Sequence, residues 1–99
     1  MSTTAAPSTA VHPSARSLFR DANDRVRGLF DAADEADRIF FCECHDAFCT
    51  EPVRMTVAEY DAVCASGTYA VRPGHEDRRY DVVIGWSDSY AVVRRADAA

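Results

Sequence analysis

Three of the chain's four cysteines, Cys42, Cys44 and Cys49, stand within the stretch FCECHDAFCTE. Thiolates that close together are ligands for a borderline-soft metal ion, and zinc takes four such groups in a tetrahedron. In an extended chain the Cys42–Cys44 spacing puts both sulfurs on one side, with Glu43 pointing away. Cys49 follows five residues later, which is enough chain to fold back over an ion. A fourth ligand is then needed, and His75, His45 and Cys64 are the candidates. His45 adjoins Cys44 and would bind from a cramped position. Cys64 falls on the apolar side of an expected helix, where a thiol behaves as a small hydrophobe. His75 follows Pro73-Gly74, a turn that can aim its imidazole back at the thiols. Cys42, Cys44, Cys49 and His75 are therefore the favoured set, with His45 and Cys64 as alternatives for the fourth place. Three thiolates and a histidine close the shell, which is the pattern of structural zinc, whereas catalytic zinc keeps a position for water. An iron–sulfur cluster also takes thiolates, but the spacings match none of the common ferredoxin runs.

The segments that must position these groups can be read from periodicity. A helix is expected to start near Ser14 or Ser17, with Leu18, Ala22, Val26, Leu29 and Ala33 on its packing stripe. Phe19 and Phe30 widen that stripe. Arg20, Asp24, Arg27, Asp31 and Asp34 fall on the opposite, solvent side, and Gly28 lies inside the helix. RIFFCEC reads as a strand and HDAFCTEP as a loop. Thr56 and Glu59 form a capping box for a second helix, with Met55 and Tyr60 at the staple positions. Val57, Tyr60, Val63 and Cys64 make its apolar face, and Gly67 ends it. TYAVR is a short strand, HEDRR a polar loop, and YDVVIGW and YAVVRR a hairpin around SDS. Tyr80, Val82, Ile84 and Trp86 alternate onto one face, and Trp86 and Tyr90 flank the hairpin turn as packing residues. The order predicts an α+β fold with a small, mostly antiparallel sheet. Residues 15–95 form one zinc-stabilised domain, residues 1–14 a disordered tail and residues 96–99 a frayed end.

Ninety-nine residues allow one small domain, whose modest core gains from a metal cross-link. The formal net charge of -5 disfavours general nucleic-acid binding, and the only local basic pairs are Arg78-Arg79 and Arg94-Arg95. No apolar run is long enough to span a membrane, and the first residues lack the features of a signal peptide. The expected location is the cytoplasm, where thiols stay reduced and a cysteine cluster holds metal in preference to disulfides. No zincin, deaminase or phosphate-loop motif is present: Arg79 stands where a zincin would need its second histidine after His75. The expectation is a non-enzyme.

The stretches FFCECHDAFCTEPVRMTVAEYDAV, YAVRPGHED and SYAVVRR together resemble a group of small, uncharacterised actinobacterial proteins. Their pattern is F-x-C-E-C-x4-C, an E-Y pair on a threonine-capped helix, P-G-H and a closing Y-x-V-V, and it spans about residues 16–95. The resemblance implies a zinc-binding role for Cys42, Cys44, Cys49 and His75 as shared positions, and it also takes in Glu59 and Tyr60. Cys64 departs from the pattern, which tends to have arginine there. No activity comes with the resemblance. The functional expectation is a cytoplasmic, zinc-stabilised interaction or regulatory module with a protein partner. The alternative is a thiol-based redox or metal sensor that releases zinc on oxidation, with a DNA-binding regulator as a minor third.

Overall fold

The structure is a computed structural model that describes the backbone of residues 6–96 and the side chains of residues 15–96. The expected tail lies outside these residues for positions 1–5, as does the expected fraying for positions 97–99. The fold is α+β. Helix α1 (Ala6–Arg27) leads into a hairpin, β1 (Arg38–Phe41) and β2 (Pro52–Met55). Helix α2 (Val57–Ala65) follows, then β3 (Tyr69–Val71), β4 (Asp81–Trp86) and β5 (Ala91–Arg95). All strand pairs are antiparallel, and they make two sheets, β1-β2 and β3-β5-β4. The core between them and α2 is built from Phe40, Val53, Met55, Tyr60, Val63, Val71, Ala91 and Val93, with Cys42 and Cys44 buried at its edge. The Phe40 and Tyr60 rings stack at 4.6 Å, locking β1 onto α2.

Helix α2 forms as its sequence requires. The Thr56 side chain accepts from the Glu59 N–H, and the Glu59 carboxylate accepts from the Thr56 N–H. Two of the helix's orphan donors are thereby satisfied. Ser66 is the C-cap, and Gly67 follows it at φ 69°, the left-handed conformation that glycine adopts without penalty.

Helix α1 departs from its expected pattern. It begins at Ala6, ahead of Ser14 and Ser17, and ends at Arg27, so Gly28 lies in the turn that closes it. Its packing face is partly different. Val26 packs against the core as expected, but Leu18 is 65% exposed while Ala15, Arg16 and Asn23 are buried, and Leu29 falls beyond the end of the helix, 77% exposed. Two buried carboxylates explain the shifted face. Glu43 and Asp81 sit on the surface that α1 covers, and each takes an arginine from the helix as its counter-charge. A buried charge must be paired, and that requirement outweighs the burial of Leu18.

Two strand readings change as well. RIFFCEC stops being a strand at Phe41, and β2 emerges from what reads as loop, with Pro52 as its first residue, where a missing N–H is tolerated. In β4 a bulge between Val83 and Gly85 shifts the pairing, leaving Val82 opposite Arg94 and Trp86 opposite Ala91. Val82, Ile84 and Trp86 are exposed, so Trp86 is a surface residue, while Tyr90 is buried as expected.

Candidate metal centre

Cys42 and Cys44 leave the end of β1, and Cys49 returns the chain toward β2. The loop between the strands is held by its own hydrogen bonds. The Cys42 N–H donates to the Glu51 carbonyl at 3.3 Å and the Cys49 N–H to the Asp46 carbonyl at 3.0 Å. The Asp46 carboxylate accepts from the Phe48 N–H at 2.9 Å, an Asx turn that reverses the chain just before Cys49. His75 arrives from the turn after β3, whose Ala70 carbonyl accepts from the Glu43 N–H beside the cysteines. After β3 the His75 N–H donates to the Arg72 carbonyl at 2.9 Å, closing a turn in which Gly74 has φ 93°. A side chain at that position would be strained, so Gly74 is what lets the turn present the imidazole.

The outcome is one four-residue cluster. The three sulfurs and a His75 ring nitrogen all lie within 4.8 Å of one another. His75 Nδ1 is 3.6 Å from the Cys42 sulfur and 3.6 Å from the Cys49 sulfur. A tetrahedral zinc with bonds of about 2.3 Å to sulfur and 2.0–2.1 Å to nitrogen puts those ligand atoms about 3.6 Å apart. Four ligand atoms converging on one point suit a single ion better than a cluster in which separate irons each need their own thiolate. The other two candidates for the fourth place are elsewhere. His45 turns away, with Nε2 3.3 Å from the Asp81 carboxylate and its ring edge-on to Tyr80. Cys64 stays on α2, where burial pushes its thiol up.

The thiols share protons in a way that a cation would relieve. Cys42 is held well above the usual thiol range, first by its hydrogen bond to the Cys44 sulfur and then by burial. Cys44 is correspondingly brought down to about 5, chiefly by the proton that Cys42 donates to it. Burial pushes Cys49 up. Three adjacent thiolates repel one another, and a divalent ion would supply the charge that lets all three ionise, releasing protons as it binds. The Arg72 N–H already donates to the Cys42 sulfur at 3.2 Å, the kind of bond that steadies a ligating thiolate.

The residue between the two buried cysteines is what ties this centre to the rest of the domain. Glu43 does point away from the thiols, as its alternation demands, and is fully buried. Its carboxylate accepts two hydrogen bonds from the Arg20 guanidinium, one from Asn23 Nδ2 and one from the Ala70 N–H. Its own N–H donates to the Ala70 carbonyl, and its carbonyl accepts from Arg16 Nε at 2.7 Å. Glu43 thus stitches α1 and β3 to the loop that carries Cys42 and Cys44. Asn23 adds a second anchor, its amide exchanging both hydrogen bonds with the Phe41 backbone. Arg16 reaches on to Asp81, forking its carboxylate at 2.8 and 3.0 Å. Burial alone would raise the Asp81 carboxyl, but the Arg16 fork outweighs it and holds the group below its ordinary range. Sequence reading missed this network. Its one visible signal is the four-residue spacing of Arg16 and Arg20, which puts both guanidinium groups on one side of a helix.

Comparison with protein families, with curated proteins and with solved structures gave no match. Among the described residues no helix is long and apolar enough to cross a membrane.

Proposed function

We propose that Cys42, Cys44, Cys49 and His75 hold one structural zinc ion, and that the chain is a non-enzymatic, zinc-stabilised interaction or regulatory module of the cytoplasm. The observation that carries the zinc assignment is the 3.6 Å separation of His75 Nδ1 from two cysteine sulfurs, the spacing of a tetrahedral shell. Such an ion would join the β1–β2 loop to the turn after β3, segments some 26 to 33 residues apart in the chain. A closed shell of three thiolates and an imidazole offers no position for a reacting water, which supports a structural role over a hydrolytic one. The interaction role is supported by apolar side chains left on the surface, among them Leu18, Ile39, Phe41 and Phe48.

The test is elemental analysis of the purified, reduced protein beside the Cys49→Ser and His75→Ala variants. One zinc per chain, lost from both variants, is the expected result. Protein that carries no stoichiometric metal and keeps its melting temperature under strong chelation would overturn the assignment. For the interaction role, affinity capture with zinc-loaded protein should recover a partner that chelated protein does not. A result with no zinc-dependent partner counts against it.

A second reading, redox-controlled zinc release, is favoured by the closeness of the three sulfurs. Two coordinated thiolates and a peroxide would give one disulfide and, with two protons taken up, two waters, freeing the metal. Zinc retained after mild peroxide treatment excludes it.

A further inference from the structure

The outer face of the β1–β2 hairpin is apolar where solvent-facing strand positions are ordinarily polar. Its inner positions, Phe40, Val53 and Met55, belong to the core, while Ile39 and Phe41 point outward and are 52% and 45% exposed. In the ladder Phe41 stands opposite Pro52 and Ile39 opposite Arg54. The Phe19 ring stacks on Phe41 at 6.3 Å, so the apolar strip continues onto α1. A groove of about 340 Å³ opens on this face. Ile39, Pro52 and Arg54 line it from the hairpin, and Arg72 and Pro73 line it from the turn after β3. Asp88 and Ser89 complete it from the turn between β4 and β5.

The lining is held in place by its own hydrogen bonds. In the β4–β5 turn the Ser87 hydroxyl accepts from the Ser89 and Tyr90 N–H groups, each at 3.2 Å, and the Ser87 N–H donates to the Tyr90 carbonyl at 2.8 Å. Across the groove Arg72 Nη1 donates to the Pro52 carbonyl at 3.3 Å. Surfaces fixed in advance lose little freedom when they associate. The charges are distributed unevenly. Arg72 is ion-paired with Glu51 at 3.5 Å. Arg54 and Asp88 are both exposed, and among the described residues neither side chain has a hydrogen-bond or ion-pair partner. The groove therefore holds one unpaired cation and one unpaired anion, with no excess of either sign.

We infer that two copies of the chain associate through this face about a two-fold axis, each placing its β4–β5 turn in the groove of the other, so that Arg54 of each copy meets Asp88 of the other. A two-fold interface uses one patch twice, so the patch must complement itself. This one does so in three respects. It pairs a groove with the turn that borders it, a free cation with a free anion, and one apolar strip with its own copy. Ile39, Phe41 and Pro52 supply the area removed from water, and the two symmetric ion pairs set orientation more than affinity. A contact of this extent belongs with the weak, reversible interfaces. The inference does not depend on the zinc assignment.

The experiment is sedimentation velocity of the purified, reduced chain, its metal content measured separately, at concentrations from micromolar to submillimolar. The same runs are made on Arg54→Glu, on Asp88→Arg and on an equimolar mixture of the two, with circular dichroism to show that each variant is folded. The parent chain should pass reversibly from monomer to dimer as concentration rises. Either variant alone sets like charges against each other at both contacts, and its dimer should weaken by about tenfold or more. In the mixture both contacts again join opposite charges, so heterodimers should form at concentrations where each variant by itself is monomeric. A change that merely disturbed the fold would not be rescued by mixing. A parent chain that stays monomeric throughout would overturn the proposal. A dimer that both variants leave intact would do the same, as would a mixture that fails to associate where the parent dimerises. Open-ended growth into larger species would refute the closed two-fold arrangement.

Discussion

Replacing Glu43 with glutamine changes one oxygen to an NH2 group and should nonetheless be among the most damaging substitutions in the chain. The carboxylate is fully buried and takes four hydrogen bonds, two from Arg20 and one each from Asn23 and the Ala70 N–H. All four partners are donors. A glutamine amide offers one accepting oxygen and one donating nitrogen, so at least one partner meets a donor in place of an acceptor. The Arg20 side chain, only 19% exposed, loses its counter-charge at the same time. Breaking a buried pair by neutralising one member costs about 3–5 kcal/mol. A domain of this length has about 5–15 kcal/mol in total. Urea unfolding of the metal-loaded protein, followed by far-ultraviolet circular dichroism, should show a loss in that range with an unchanged m-value. The exposed Arg27–Asp61 pair serves as the control, and Asp61→Asn should stay close to the parent protein. Zinc affinity should fall alongside, since Glu43 separates Cys42 from Cys44 and its bonds to α1 and β3 hold both in place. A loss below about 1 kcal/mol would mean that Glu43 is not the buried keystone described here, because even a single unsatisfied buried donor costs more than that.

Further expectations concern the turn and the second carboxylate. Gly74→Ala meets no atom within 4 Å of the added methyl, so its cost is backbone strain alone at φ 93°, about 1–2 kcal/mol. The same variant should bind zinc more weakly in a competitive chelator titration, because the turn presents His75. Asp81 has its carboxyl held below the ordinary range in the folded chain, so its stabilising contribution is full above the unfolded carboxylate value of about 3.9. That contribution is lost as the pH falls through the lower, folded value. With chelator present throughout, Asp81→Asn should be less stable than the parent near neutrality, and the gap should narrow as the pH falls from about 3.9 through the folded value. A gap that stayed constant with pH would refute the assignment of the Arg16–Asp81 pair.

The parts of this fold that sequence makes legible are those whose causes are local. Thr56 and Glu59 cap α2 within one turn of chain, and Pro73-Gly74 dictates the turn before His75. The four cysteine and histidine positions are brought together as their spacing and that turn suggest. What could not be read depends on partners remote in the chain. Arg20 looks like a solvent-facing charge until Glu43, 23 residues away, is placed beneath it, and nothing near Arg16 in the chain points to Asp81, 65 residues away. Leu18 looks like core for the same reason, since periodicity cannot tell which stripe of a helix meets buried carboxylates, and Leu29 looks like core because the helix stops at Arg27, short of it. The strand β2 is only four residues long and begins with proline, too short for alternation to stand out. The bulge in β4 leaves no mark in a sequence that still alternates through Val82, Ile84 and Trp86.

Among the described residues strand β1 has a single strand neighbour, β2, on one side. An open strand border is a template on which another chain can lay itself down, and the path from there leads to aggregates. Here the Asn23 amide takes both the N–H and the carbonyl of Phe41. A side chain from α1 thus occupies the place of one residue of a missing third strand. An intruding segment would find that part of the border already taken, at the point where the chain turns off toward its cysteines. Asn23→Ala would reopen it, and slow self-association of otherwise folded protein is the consequence to look for by light scattering.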